Sequence, residues 1–261
     1  MQKRTTEWLE NVNTAYHERQ FKAPYRSTVA FCNWLETLGL LHKESRLRIL
    51  DLGAGQGGPL YYISSRYPHC TFVGVDLNPA LVQKGNAFFR EHGITNCRLE
   101  VGDIYNLPPK YIGAFDGVIS LQTLSWLPSF EEPLEAMCAL EAPWMALSSL
   151  FYDGLVSCTI EVQEYTEQLE PQTRSFYNIY SLPLIERFLA DHGYHDFRYA
   201  PFEIDIDLPR PQKKIMGTYT EKLANGRRLQ ISGPLLMPWY FISARRRTAF
   251  SKRRGKTTTP R

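Results

Sequence analysis

The nine residues Leu50-Asp51-Leu52-Gly53-Ala54-Gly55-Gln56-Gly57-Gly58 constrain this chain more than any other stretch. They stand where a short apolar run, from Leu47 to Leu52, passes into a helical pattern, so they predict a strand that turns tightly into a helix. Glycines at 53 and 55 permit the turn and let a ligand approach bare backbone, while the helix beyond it presents unpaired N–H groups. Gly53, Gly55 and Gly58 also satisfy the G-x-G-x-x-G spacing of dinucleotide sites. Asp51 separates the two readings. Two residues ahead of the first glycine, its carboxylate would repel a diphosphate entering the turn and would suit a ligand that carries an ammonium group.

From Leu47 onward, short β-branched or apolar runs ending in Gly or Asp alternate with longer helical stretches, the pattern of βαβ units around a parallel sheet. Strands are expected near 47–52, 71–75, 97–101, 115–120 and 144–151, with helices near 57–66, 79–92 and 131–141. Ahead of them, residues 5–41 space Trp8, Val12, Tyr16, Val29, Phe31, Trp34, Leu35 and Leu38 as two helices broken around Pro24. Beyond them, Tyr152 to Tyr180 is polar and aromatic. Ser181 as N-cap, Pro183 in the first turn and Gly193 past the end then define a helix. A strand near 197–206 is expected next, then a hairpin of Tyr219–Leu223 and Arg227–Ser232 around Ala224-Asn225-Gly226, and a last strand at Trp239–Ala244.

Downstream of the glycine turn, Phe72-Val73-Gly74-Val75-Asp76 ends a strand with an acid 21 residues after Gly55, where a carboxylate accepts hydrogen bonds from both ribose hydroxyls. NAD enzymes share that feature. Taken with Asp51, Gly53, Gly55 and Gly57, the chain resembles the class I methyltransferases dependent on S-adenosylmethionine (SAM), whose first motif reads Asp/Glu-x-Gly-x-Gly-x-Gly. The resemblance implies an α/β Rossmann-like, doubly wound, mostly parallel sheet of seven strands with an antiparallel last strand. An N-terminal helical lid and an inserted β-hairpin near the C-terminus complete the expected fold. It implies one domain over 1–244, with a lid at 1–45, a SAM-binding half at 46–151 and a substrate-side half at 152–244, followed by a basic tail at 245–261.

Carried over position by position, the resemblance assigns Asp51, Gly53, Ala54 and Gly55 to the amino-acid end of SAM, and Asp76 and Leu77 to the ribose. Asp103 and Ile104 fall to the adenine, and Leu121 and Gln122 to the methionine end and the floor of the acceptor site. From the preamble, Tyr16, Tyr25 and Arg26 are candidate polar contacts, with Arg26 free to grip the SAM carboxylate or an anionic acceptor. Asp103 capping a turn, the two tyrosines merely packing and Arg26 as a surface cation are the bland alternatives. His17 and Tyr152 are the candidate catalytic groups, as proton acceptor or acceptor-orienting residues, and the product would be S-adenosylhomocysteine (SAH).

Methyl transfer from a sulfonium needs alignment more than a fixed catalytic motif. Leu121-Gln122-Thr123-Leu124 is not the Asn/Asp-Pro-Pro-aromatic motif of nucleic-acid N-methyltransferases, no Pro-Cys dipeptide occurs, and no H-E-x-x-H pattern suggests a metal. The expected acceptor is therefore a small molecule with an O or N nucleophile. An RNA or protein substrate, a NAD(P)-dependent oxidoreductase and a SAM-binding module without activity remain alternatives. Phe151, Tyr152, Tyr165, Phe176, Tyr177 and Tyr180, with Trp239-Tyr240-Phe241, suit either an apolar pocket or ordinary core. Glu161 and Glu164 read as a helix-like stretch, and Asp205 and Asp207 as facing solvent or pairing with Lys213 and Lys214.

The net charge of +3 misleads, because eight basic residues follow position 244 with no acid among them and leave a body of about −5. That is not the broad basic face of a nucleic-acid binder. Five scattered cysteines without a C-x-x-C pair imply reduced thiols. No apolar run approaches the roughly 18 residues of a membrane span, so a cytoplasmic chain, monomeric or homodimeric, is expected.

Overall fold

The structure is a computed structural model that describes residues 14–212 and 215–247, the first three by backbone alone. Two helices, α1 (Thr14–Lys22) and α2 (Arg26–Thr37), precede the sheet and break at Pro24 as expected. Then β1 (Arg48–Leu52), α3 (Gly58–Arg66), β2 (Thr71–Asp76), α4 (Pro79–Glu91), β3 (Cys97–Val101), β4 (Gly117–Leu121), α5 (Glu131–Ala139) and β5 (Trp144–Tyr152) alternate. The sequence signals hold because each is local. Asn78 caps α4 by accepting from the Ala80 and Leu81 N–H groups, and the apolar runs of β1 and β5 are buried on both faces, as a covered parallel strand must be.

The second half continues with β6 (Glu161–Tyr165), β7 (Pro171–Phe176), β8 (Tyr180–Ser181), α6 (Leu182–Asp191) and β9 (Tyr194–Pro201). It closes with β10 (Thr218–Lys222), β11 (Arg228–Ser232), β12 (Leu235–Leu236) and β13 (Trp239–Arg246). The main sheet runs β3-β2-β1-β4-β5-β13-β9, with the two-residue β8 lying parallel to the end of β5 as an eighth member. The strands β1 to β5 pair in parallel, and β13 enters antiparallel to both neighbours. The order steps outward from β1 in both directions, which brings the loops after β1 and β4 to one crevice at the carboxyl ends of the strands.

Several expectations are corrected. Glu161 and Glu164 lie on a strand, not a helix: the segment has no apolar stripe for a helix to bury, and pairing with β7 supplies its backbone partners instead. Glu161 pairs with Arg174 at 3.0 Å, and Glu164 Oε1 accepts the Met216 N–H at 2.8 Å. The strand expected at 197–206 runs from Tyr194 to Pro201, because β13 sets its register through Arg246 opposite Tyr194 and Tyr240 opposite Pro201. Arg245 and Arg246 belong to β13 rather than to a tail. Arg246 meets Glu141 at 2.9 Å, and residues 248–261 lie outside the described residues.

The core forms two layers, one on each side of the sheet. One gathers Leu50, Val118, Met145, Leu147, Ile185 and Ile242; the other gathers Phe31, Ile49, Leu60, Phe72, Ile119 and Phe241. Burial of each such side chain contributes about 1.5–3 kcal/mol. Cys32, Cys70, Cys97 and Cys138 are buried and free, and Cys158 is exposed and free. Among the described residues, no helix is long and apolar enough to cross a membrane.

Candidate cofactor site

The turn after β1 is built from positive φ angles, +77° at Gly53 and +56° at Gly55, and the Gly53 and Ala54 N–H groups both donate to the Val75 carbonyl of β2. That arrangement leaves the α-carbons bare toward neighbouring loops. A Cβ on Gly53 would meet Thr123 Oγ1 at 2.3 Å, and one on Gly55 would meet His17 Cε1 at 2.8 Å. The glycines are therefore required by conformation and by close approach together. On the same turn α1 lays Gln20 against Gly58, so α1 brings both His17 and Gln20 to the glycines.

Asp51 sits beneath the turn with 1% exposure, and its Oδ1 has no hydrogen-bond partner. Burial, reinforced by the charge of Asp76, pushes its carboxyl up to about 8. A lone buried carboxylate is costly unless a cation meets it, and a ligand ammonium is such a cation. Asp76 is differently placed. Its Oδ2 accepts the Gly55 N–H at 2.7 Å and its Oδ1 accepts the Asn78 N–H at 2.9 Å, which leaves each oxygen a lone pair for a hydroxyl. Burial raises Asp76 above the usual carboxylate range, against the lowering by those two N–H groups.

Asp103 Oδ1 accepts the Tyr105 N–H at 2.9 Å, a turn-capping bond, while Ile104 packs half-buried on the core and Leu77 is 38% exposed beside Asp76. Leu121 and Gln122 close the end of β4. Gln122 holds φ +55°, donates its N–H to the Ser148 carbonyl at 2.7 Å and its Nε2 to Ser27 Oγ of α2 at 3.2 Å. Sequence reasoning missed Thr123 and Gln20, since nothing local marks a residue that matters by touching a glycine far along the chain.

The other expected members have neighbours of their own. Arg26 pairs with Asp205 at 3.1 Å, both well exposed, while Lys213 and Lys214, expected as partners of Asp205, lie outside the described residues. Asp207 is held by Arg228 at 2.6 Å. Tyr25 stands at the N-cap of α2, where burial raises its phenol and Gln20 is its hydrogen-bond neighbour. Tyr16 falls outside the described side chains. Tyr152 is half exposed at the end of β5, opposite Ser181 and against Gly154. It lies six residues past Ala146, which is level with Asp51 through Ile119, or about 20 Å along the strand.

A bare glycine turn, a buried carboxyl below it whose Oδ1 has no partner and a second carboxylate at the end of β2 fit an aminoacyl nucleoside, and with this strand order they define a class I, Rossmann-like SAM-dependent methyltransferase. The chain belongs to the methyltransferase-domain family, which matches residues 43–176, just over half of its length. It is 33% identical over 89 residues to a trans-aconitate 2-methyltransferase of Deinococcus radiodurans, covering 34% of this chain and 31% of that one. A trans-aconitate 2-methyltransferase of Methylobacterium radiotolerans is 23% identical over 67% of this chain and 64% of its own. The chain thus spans from about a third to just under two thirds of these relatives. In fold it is similar to the YcgJ protein of Bacillus subtilis, with a TM-score of 0.55, 13% identity, and coverage of 84% of this chain and 99% of that one.

Proposed function

We propose that this chain transfers the methyl group of SAM to a small-molecule acceptor carrying an O or N nucleophile, and releases SAH. The observation that carries the reading is the buried Asp51 carboxyl under the Gly53–Gly55 turn, whose Oδ1 has no hydrogen-bond partner. SAM, when bound, supplies an electrophilic methyl on a sulfonium that needs no further activation. Asp51 would hold the ammonium, the bare turn would admit the amino-acid end, and Asp76 with Leu77 would take the ribose hydroxyls. Asp103 and Ile104 would take the adenine, and Leu121 and Gln122 would line the methionine end beside the acceptor. Each of these residues binds and orients, and α1 and α2 keep water from the turn.

Among the described residues, His17 lies against the turn and can move a proton. Burial lowers its imidazole below the ordinary histidine value, so at neutral pH it is uncharged and able to accept one. Tyr152, about 20 Å along β5, is left out of this set. Relatives named for trans-aconitate methyl transfer support a small acceptor. Calorimetry tests the reading: the full chain should bind SAH and not NADH, and binding of NADH alone would overturn it.

A further inference from the structure

Two buried polar atoms on one face of the main sheet have no hydrogen-bond partner: Ser148 Oγ in β5 and Trp239 Nε1 in β13. The two residues are 2% and 5% exposed. In the β5–β13 ladder Ser148 stands opposite Phe241 and Leu150 opposite Trp239, so Ser148 and Trp239 are diagonal neighbours on the same face. Asp51 shares that face, level with Ala146 through Ile119, which puts Ser148 about 12 Å from Asp51 by strand spacing. Leu121, which pairs with Ser148, and Gln122 lie between them.

The surroundings of Trp239 are aromatic and rigid. Trp126 stacks on Trp239 with centroids 5.6 Å apart at 21°, and Tyr177 lies 5.4 Å from Trp126. Fully buried Asn178 donates through Nδ2 to the Leu127 carbonyl, and Ser125 Oγ meets Ser149 Oγ at 2.6 Å, which together pin the segment that carries Trp126. These side chains are uncharged. A buried donor without an acceptor costs stability, and a ligand oxygen would complete it.

We propose that Ser148 and Trp239 are the recognition point for the methyl acceptor, and that the acceptor is a planar, uncharged aromatic or conjugated compound presenting an oxygen to both donors. The proposal rests on the methyl-transfer reading above. Stacking against Trp126 gives such a ring its orientation, and the hydroxyl and indole N–H fix its register relative to the methionine end at Leu121 and Gln122. A polycarboxylate such as trans-aconitate would bring its charges against these uncharged aromatic side chains and lose hydration there.

The test uses the full chain saturated with SAH, titrated by calorimetry with 7-hydroxycoumarin, vanillin and chromone, and separately with citrate. At least one of the three aromatics should bind and citrate should not. Ser148→Ala and Trp239→Phe should each weaken that binding about 3- to 10-fold, the effect of one lost hydrogen bond, with SAH affinity unchanged. Ser148→Ala should also leave Tm unchanged or raised, because the hydroxyl it removes has no partner. Binding by citrate alone, by none of the aromatics, or with indifference to Ser148→Ala overturns the proposal, as does a lowered Tm in that variant. Failure of SAH itself to bind would instead remove the methyl-transfer reading and this proposal with it, so the two failures are told apart.

Discussion

The imidazole of His17 rests on the bare α-carbon of Gly55: a Cβ placed there would come within 2.8 Å of His17 Cε1. The helix ahead of the sheet and the turn after its first strand therefore meet atom to atom, at a residue whose φ of +56° already disfavours any side chain. Gly55→Ala must both displace His17 and strain the backbone. We expect a loss of about 1–3 kcal/mol of stability and no measurable SAH binding. Gly93→Ala is the control, with φ +66° and open space around it. It should cost less in urea denaturation and leave SAH binding intact; equal losses in both would deny the His17 contact any role.

Asp51 makes stability and cofactor affinity depend on pH in opposite senses. Its buried carboxyl is pushed up to about 8, whereas the unfolded chain releases that proton near 3.9. Between those values the native state holds a proton the unfolded state has lost. The stability it contributes is full below about pH 4 and is lost as pH rises through about 8. Denaturant midpoints measured from about pH 5 to 9 should fall in the wild type and fall less in Asp51→Asn, with Asp76 supplying a residual slope. A cationic ammonium prefers the ionised carboxylate, so SAH affinity should rise from about pH 6 to 8 in the wild type and stay flat in Asp51→Asn.

Asp76→Ala removes the acceptor of the Gly55 and Asn78 N–H groups together with the expected ribose contact. SAH affinity should weaken by about 1–3 kcal/mol, the range for a charged hydrogen-bond partner. Unchanged affinity by calorimetry would take Asp76 out of the site.

Arg26→Ala tests whether that residue meets the cofactor. Its pair with Asp205 is exposed on both sides, so its loss should change stability by less than about 1 kcal/mol. SAH affinity should not move. A tenfold fall in affinity would return Arg26 to the cofactor.

By itself the sequence determined the elements whose signals are short-range. The apolar runs ending in Gly or Asp placed β1 to β5 within two residues, Ser181 and Pro183 placed α6, and Asn225-Gly226 placed the turn between β10 and β11. The glycine turn with Asp51 and Asp76 was legible for the same reason, since its conformation and charge belong to consecutive residues or to the end of the next strand. The tertiary structure decided everything that depends on which strands lie side by side. Asp205 reaches Arg26 across 179 positions, Gln122 reaches Ser27 across 95, and the hairpin of β6 and β7 replaces the helix read at Glu161 and Glu164. Tyr152 and Ser148 look alike as neighbours on one strand, yet register sets one about 13 Å further along than the other. Periodicity encodes a residue's own backbone, but a buried atom's partners, or its lack of them, follow from sheet order and register, which long-range packing alone selects.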